Sequence, residues 1–174
     1  FFLEKNQPRE KLDNNFINIL LIGGSAGSLD LNNQMLKEIM SVDRRYLEKM
    51  KFFIQMPISN EKIFKKKYEK IINNRLALFS FKNDLNFKEY DFILSRSGSG
   101  SINEILYYTN NVYFIPHLIS RDKHQKYNLN YFLLHNMSLK KLNLANKKNF
   151  ISKFYFNSLI NPYSIEKIIC YTTR

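Results

Sequence analysis

Short apolar runs separated by stretches of helical periodicity constrain the fold of this chain more than any other feature. The runs have the length of buried strands and fall at residues 17–22, 52–56, 76–81, 92–94 and 112–115. The helical stretches between and after them fall at residues 31–40, 61–72, 102–108 and 126–135. Continuously apolar strands that alternate with helices are typical of a parallel sheet covered on both faces. The pattern therefore predicts an α/β fold, a doubly wound, Rossmann-like parallel sheet.

The chain carries no sign of a division into several domains. Its 174 residues suffice for one domain that buries roughly two-thirds of its unfolded surface. No internal repeat and no linker rich in Pro, Gly or Ser interrupts it. After about residue 142 the pattern weakens into sequence rich in Lys and Asn, and Pro162 then predicts a final helix over residues 163–171.

The net charge of +12 would suit a nucleic-acid partner. We expect no nucleic-acid partner. Lys, Asn, Ile, Phe and Tyr are the residues that AT-rich genomes over-encode, so genome composition explains much of the positive charge, and the lysines are spread along the chain. Their one run, at residues 64–70, is typical of the solvated face of a helix. The single cysteine, Cys170, excludes an internal disulfide and a cysteine-rich metal site. No apolar stretch approaches the ~20 residues that span a bilayer, and no signal peptide is visible.

The five glycines are confined to two stretches, residues 23–27 and 98–100, and each stretch follows a predicted strand. Ligands of such sheets bind where the carboxyl ends of strands lead into helix N-termini. Glycine there permits close backbone approach, while free N–H groups and the helix dipole favour an anion. Two such loops would fit a diphosphate between them, with hydroxyl donors from Ser25, Ser99 and Ser101. Gly-Ser turns also join strands to helices without any ligand, and neither stretch matches a named phosphate-binding fingerprint.

Glu104 follows the second glycine stretch, and we expect it in the first turn of a helix. One interpretation is an S-x-x-E capping box with Ser101, supported by the helix dipole. Another is a carboxylate that accepts both hydroxyls of a ribose, as in dinucleotide sites. The two interpretations are compatible.

The stretch "RDKHQKYNLN", residues 121–130, begins with side chains suited to hydroxyl groups. His124 and Asn128 would share one face of a helix, with Gln125 beside them. Amides donate and accept hydrogen bonds together, which suits the hydroxyls of a sugar. The polar outer face of a surface helix is the alternative. No nucleophile motif or metal-ligand spacing accompanies His124, so it is not predicted to be catalytic.

Three segments together resemble the MurG family of bacterial glycosyltransferases, glycosyltransferase family 28. "GGSAGSLDLN" (23–32), "SRSGSGSINE" (95–104) and "DKHQKYN" (122–128) are similar to its motifs and occur in the same order. "NQPRE" (6–10) is similar to the segment between the two Rossmann-like domains of the family. The resemblance covers roughly residues 6–135 and only the C-terminal, donor-binding half.

This resemblance implies a domain organisation. Residues 1–15 would be the remnant of the interdomain linker, and residues 16–174 the UDP-sugar-binding domain. The N-terminal acceptor domain would be absent from this chain, and the missing initiator methionine agrees with a piece of a longer polypeptide.

The resemblance also implies a function. The family transfers N-acetylglucosamine from UDP-N-acetylglucosamine to lipid I with inversion, forming lipid II for peptidoglycan at the cytoplasmic face of the bacterial inner membrane. It uses no bound metal or other cofactor, and no Asp-x-Asp motif is present here. The lipid-linked acceptor, the peripheral membrane contact and the general base would all come through the N-terminal half. We therefore expect no catalytic residue in this half and no turnover without the other.

The resemblance assigns donor contacts residue by residue. The diphosphate would meet Gly24, Ser25, Ser99, Gly100 and Ser101. The ribose hydroxyls would be held by Glu104, and the sugar by His124, Gln125 and Asn128. Uracil would meet the backbone near Phe81 and Lys82, and the leaving diphosphate would be neutralised by Arg9. Two departures from the family pattern are Ala26 in place of the usual Gln and the loss of the residue between Pro and Arg in "NQPRE".

Two other functions remain open at this stage. The donor subunit of a two-chain transferase is one, because the eukaryotic dolichol-linked N-acetylglucosaminyltransferase is similar in its "GSGS…E" and "HQ" segments. Asn32 and "NQPRE" favour the bacterial family instead. The other is a non-catalytic remnant or basic binding module, suggested by the Lys/Asn enrichment and the loose sequence after residue 142. The persistence of the contact motifs argues against that alternative.

Overall fold

The chain folds around a parallel sheet. The computed structural model describes residues 15–24, 27–109, 112–117, 124–135, 139–142 and 168–171, and within them lie seven strands and five α-helices. The strands are β1 (Ile17–Ile22), β2 (Met50–Gln55), β3 (Leu76–Phe79), β4 (Phe92–Ser95), β5 (Val112–Phe114), β6 (Leu139–Leu142) and β7 (Ile168–Tyr171). The helices are α1 (Leu29–Ser41), α2 (Arg44–Leu47), α3 (Glu61–Ile72), α4 (Ser99–Tyr108) and α5 (His124–His135), with single 3₁₀ turns at Ile58–Asn60 and Phe87–Glu89.

Both faces of the sheet are buried, which explains why the strands are apolar without alternation. Successive side chains of a strand point to opposite faces. Ile19 and Leu21 accordingly pack in a core cluster with α1 and α3, while Leu20 and Ile22 pack in a second cluster with α4 and α5. Tyr68 of α3 is fully buried in the first cluster, and its hydroxyl donates to the backbone carbonyl of Asn32.

The strand order is β3-β2-β1-β4-β5-β7-β6, and every adjacent pair is parallel. From β1 the chain builds outward through β2 to β3, and then returns to lay β4 on the other side of β1. The order of the strands therefore reverses between β1 and β4. In open sheets of this type, ligands bind at such a reversal, outside the carboxyl ends of the strands.

The predicted α/β fold is confirmed, and the core elements match closely. The predicted bounds of β1 and α3 are those observed, and the other predicted elements up to α5 differ by a few residues at their ends. The short helix α2 and the strand β6 were not predicted.

The predicted final helix is wrong where it can be compared, because residues 168–171 form β7. This strand adds to the sheet between β5 and β6, with Tyr113 opposite Ile169. A four-residue apolar run has no period that separates strand from helix, so its partners in the sheet decide its conformation. The remainder of that prediction, residues 163–167, lies outside the described residues.

Candidate functional site

An open cleft of about 490 Å³ lies at the strand reversal. The last residues of three neighbouring strands are paired with one another, so the strands end at the same level. Ile22 of β1 pairs with Ser95 of β4, and Ser95 pairs with Phe114 of β5. The residues after each strand end thus lie side by side. The cleft is lined by Gly23, Gly27, Ser28, Leu29, Asp30, Pro57, Arg96, His117 and Gln125. This is the position at which a doubly wound sheet binds its ligand.

The loop after β1 needs its glycines for two different reasons. A Cβ at Gly23 would overlap the backbone nitrogen of Ser28, so the loop closes too tightly on itself for any side chain there. Gly24 has a φ of +87°, which residues with a side chain rarely adopt. The side-chain oxygen of Gln55 accepts a hydrogen bond of 3.0 Å from the Gly23 N–H and fixes the start of the turn. The glycines of this loop therefore present backbone, rather than side chains, to the cleft at Gly23 and Gly27.

Arg96, the residue directly after β4, joins three loops. Its side chain is buried, and its Nε and Nη2 each donate to Ser28 Oγ at 3.2 Å. Its Nη1 donates to the carbonyls of Ile115 at 3.0 Å and Pro116 at 3.2 Å, in the loop after β5. Its Nη2 also pairs with the carboxylate of Asp30 in the first turn of α1. A guanidinium has five N–H donors, and these contacts engage all of them.

Asp30 carries the exposed side of this ion pair. The Arg96 side chain is 6% exposed, whereas that of Asp30 is 57% exposed and lines the cleft. Partial burial raises the pKa of Asp30, but hydrogen bonds from Ser28 and Arg96 outweigh this and hold the pKa below its usual range. His117 Nε2 lies 3.7 Å from the same carboxylate. Asp30 is thus an exposed anion in the lining of the cleft.

The loop after β4 is tied to the start of α5. Ser97 Oγ donates to the backbone carbonyl of Gln125 at 2.9 Å, and Asn128 Nδ2 donates to the carbonyl of Ser97 at 3.4 Å. The Gln125 side chain lines the cleft, and its Oε1 accepts from the backbone N–H of His117 at 2.8 Å. The structure therefore brings Gln125 and Asn128 to Ser97, directly before the second glycine stretch.

The residues of α4 lie apart from the cleft lining. Ser99 and Gly100 are exposed in the first turn of α4, and no atom of the described residues beyond its neighbours lies within 4 Å of a Cβ added at Gly100. Glu104 is also exposed, on the second turn.

The expected first-turn position of Glu104 and its capping box with Ser101 are wrong. Gly98 is the N-cap, and its carbonyl accepts the first helical bond from Ile102 N at 2.9 Å. The helix therefore begins at Ser99, earlier than predicted, which puts Ser101 inside the first turn rather than before it. Helix-dipole stabilisation falls off beyond the first turn, so it does not explain a carboxylate at Glu104.

The remaining predicted residues are spread along the same edge of the sheet or fall outside the described residues. Phe81 and Lys82 are exposed beyond the carboxyl end of β3, two strands from β1. His124 is exposed at the first position of α5. Arg9 and Ser25 lie outside the described residues.

Arg96, Asp30 and Ser28 line the candidate cleft, and the sequence-based prediction did not include them. The available signal was the charge of Arg96 itself, because an arginine directly after a buried strand and before a glycine loop has to find several acceptors nearby. Its acidic partner is 66 positions away in the sequence. No periodicity or local motif links residues at such a separation.

The part of the chain that the structure describes contains neither a membrane-spanning helix nor a metal-binding cluster. None of its helices is both long enough and apolar enough to cross a bilayer. It also contains no group of three or more His, Cys, Asp or Glu side chains placed to hold a metal ion.

Two known proteins with similar sequences are named as transferases. The chain is 30% identical over 162 residues to the UDP-N-acetylglucosamine–N-acetylmuramyl-(pentapeptide) pyrophosphoryl-undecaprenol N-acetylglucosamine transferase of Pelagibacter ubique, covering 92% of this chain and 43% of that one. It is 28% identical over 134 residues to the protein of the same name from Aquifex aeolicus, covering 72% and 37%. The chain thus spans less than half the length of these relatives.

A solved structure agrees on the fold. The crystal structure of Acinetobacter baumannii MurG matches with a TM-score of 0.64 over 89% of this chain and 46% of that one, at 24% identity. Residues 18–147 match the model of the glycosyltransferase family 28 C-terminal domain, a segment that runs from β1 past β6 and includes the described cleft. With the match extending over most of its length, the chain belongs to the family of glycosyltransferase family 28 C-terminal domains.

Proposed function

We propose that this chain is the UDP-N-acetylglucosamine-binding half of an inverting N-acetylglucosaminyltransferase. The observation that carries the proposal is the cleft at the strand reversal, with the β1–α1 turn on one side and Gln125 on the other. The names of the relatives supply the donor and the lipid-linked acceptor, and the whole reaction, lipid II from lipid I, would need the half of those proteins that this chain does not match.

In this proposal the diphosphate binds between the two glycine loops. Gly24 and Ser25 approach it from the β1–α1 turn, and residues 99–101 approach it from the start of α4. Backbone N–H groups at the starts of α1 and α4 would stabilise the charge that grows on the leaving diphosphate. The close turn at Gly23 and the exposed, side-chain-free backbone at Gly100 support this assignment.

The rest of the donor would extend along the same edge of the sheet. Glu104 would hold the ribose hydroxyls, and His124, Gln125 and Asn128 would contact the sugar. The hydrogen bonds that join Ser97 to Gln125 and Asn128 support a sugar site next to the second loop. Phe81 and Lys82 would meet uracil.

The other parts of the reaction belong to the half outside this chain. There the acceptor hydroxyl would lose its proton to a general base and attack the anomeric carbon directly, while UDP leaves. Residues 1–15, with Arg9, would connect the halves, and residues 16–174 would form the donor domain. The contact with the inner membrane would also come through the other half.

Isothermal titration of the purified chain with UDP tests the proposal. Glu104→Ala should weaken binding by removing the acceptor of the ribose hydroxyls. It should leave thermal unfolding unchanged, because the side chain is exposed. Glu69→Ala on α3 is the control, since it removes an exposed carboxylate from a helix on the other face of the sheet. Equal affinities of the wild type and Glu104→Ala would remove Glu104 from the site, and no binding by the wild type would refute the proposed function.

A further inference from the structure

The chain places its own anion in the cleft lining beside the β1–α1 turn, where the proposed function puts the diphosphate. Asp30 lies in the first turn of α1, next to the loop of residues 23–28, and accepts hydrogen bonds from Ser28 Oγ and Arg96 Nη2. The carboxylate is ionised at neutral pH, because the ordinary pKa of Asp30, 3.8, already lies far below 7 and these contacts lower it further.

Arg96 does not present a free positive charge to a ligand in this cleft. All of its donors are engaged by Ser28, Asp30 and the two carbonyls of residues 115 and 116. The guanidinium is the buried member of the pair, and the carboxylate is the exposed member. A phosphate that enters the cleft therefore meets the negative member of this pair, Asp30, first. His117, whose Nε2 lies 3.7 Å from the Asp30 carboxylate, is 36% exposed beside it.

We propose that Asp30 is a specificity-determining residue that weakens the hold of the cleft on UDP more than on the UDP-sugar. The inference rests on the proposed function, because it requires the diphosphate to bind near the β1–α1 turn. The sugar ester lacks the titratable terminal oxygen, so UDP carries about one more negative charge than the donor near pH 8. Repulsion by Asp30 therefore acts most strongly on the leaving product and favours its release.

The size of the effect follows from Coulomb's law. For charges about 6 Å apart in a water-like dielectric, each unit of phosphate charge changes affinity about threefold. UDP carries about two to three such charges near pH 8. Removing the charge of Asp30 should then strengthen binding of UDP by about tenfold or more. The gain should be smaller for UDP-N-acetylglucosamine and absent for uridine, which has no phosphate.

The experiment is a titration of the wild-type chain and Asp30→Asn with uridine, UDP-N-acetylglucosamine and UDP at pH 8. Asparagine keeps the shape of Asp30 and one acceptor oxygen for Arg96. Asp30→Ser is a second neutral variant, and its agreement with Asp30→Asn would separate the loss of charge from a change of packing. Glu69→Gln is the matched control for net charge, since it removes one carboxylate from the distant helix α3. Thermal unfolding in the presence of each ligand provides a second readout.

A gain in affinity that grows in the order uridine, UDP-N-acetylglucosamine, UDP, in both neutral variants and not in Glu69→Gln, supports the proposal. Equal changes for all three ligands, or weaker UDP binding by both neutral variants, would overturn it and leave Asp30 as a structural partner of Arg96. The wild-type titrations separate this failure from that of the proposed function. If the wild type fails to bind UDP, the proposed function is refuted and the role of Asp30 is refuted with it.

Discussion

Replacing Arg96 by methionine tests whether one side chain fixes the three loops around the cleft. Methionine fills much of the same volume, but it offers no N–H donor. The carbonyls of Ile115 and Pro116 would then each lose a hydrogen bond from the guanidinium. Asp30 is exposed enough to turn to water, so its loss of a partner costs little.

The magnitude can be worked out from these contacts. A buried acceptor left without its partner costs about 1–3 kcal/mol, so two carbonyls give about 2–6 kcal/mol. Methionine needs no counter-charge in the buried position, which offsets part of this cost. We expect the free energy of unfolding to fall by about 2–5 kcal/mol. That is a large part of the roughly 5–15 kcal/mol that stabilises a typical domain.

Urea unfolding followed by circular dichroism measures this change. With a slope of about 2 kcal/mol per molar urea, the midpoint should fall by about 1–2.5 M. Arg45→Met is the matched control, because Arg45 also pairs with an aspartate, Asp43, but with its side chain 81% exposed. Its midpoint should change far less, since solvent screens such pairs. Arg96→Lys keeps the charge but lacks the planar fork, so its midpoint should lie between those of Arg96→Met and the wild type. If Arg96→Met unfolds at the same urea concentration as Arg45→Met, the network does not hold the loops together.

Three further predictions concern the same loops. Gly23→Ala should lower the unfolding midpoint, because the new Cβ overlaps the backbone nitrogen of Ser28; a midpoint equal to that of the wild type would contradict the turn geometry. Gly100→Ala meets no nearby atom, so its stability should be kept or raised by up to about 1 kcal/mol through helix propensity, while calorimetry should detect weaker UDP binding. Unchanged affinity in that variant would exclude this backbone from the diphosphate site. Because the folded-state pKa of Asp30 is below its ordinary 3.8, its stabilising effect is present above that pH and is lost as the pH falls through the folded value. The difference in unfolding free energy between the wild type and Asp30→Asn should therefore shrink in acid, and a constant difference from pH 7 to 3 would refute the pairing.

Much of the fold could be predicted from the sequence, because the local apolar and helical patterns agree with the strands and helices of the final sheet. The run that became β1 is apolar on both faces except at Asn18, and the bounds of α3 follow from its own periodicity. Both elements match their predictions to the residue. At residues 168–171 the deciding interaction is pairing with β5, more than 50 residues earlier in the chain, and local pattern favoured the wrong element.

The candidate site divides in the same way. Its loops were found because glycine is conspicuous after a strand, and Gln125 was found through its amide. The ion pair of Arg96 and Asp30 was not found, because it depends on strand order and on the level at which neighbouring strands end. Those quantities are set by packing across the whole sheet, and no single stretch of sequence encodes them.

The level ends of β1, β4 and β5 have a consequence for how the domain responds to ligands. Each wall of the cleft comes from a different part of the chain, so the cleft exists only once the central strands have assembled. A compound held there has no complete site on any partly folded form. Its binding energy is then added in full to the global unfolding free energy, rising with the logarithm of ligand concentration. Saturation with a tight ligand should accordingly protect amide protons deep in β1 and β4 from exchange as strongly as those beside the ligand itself.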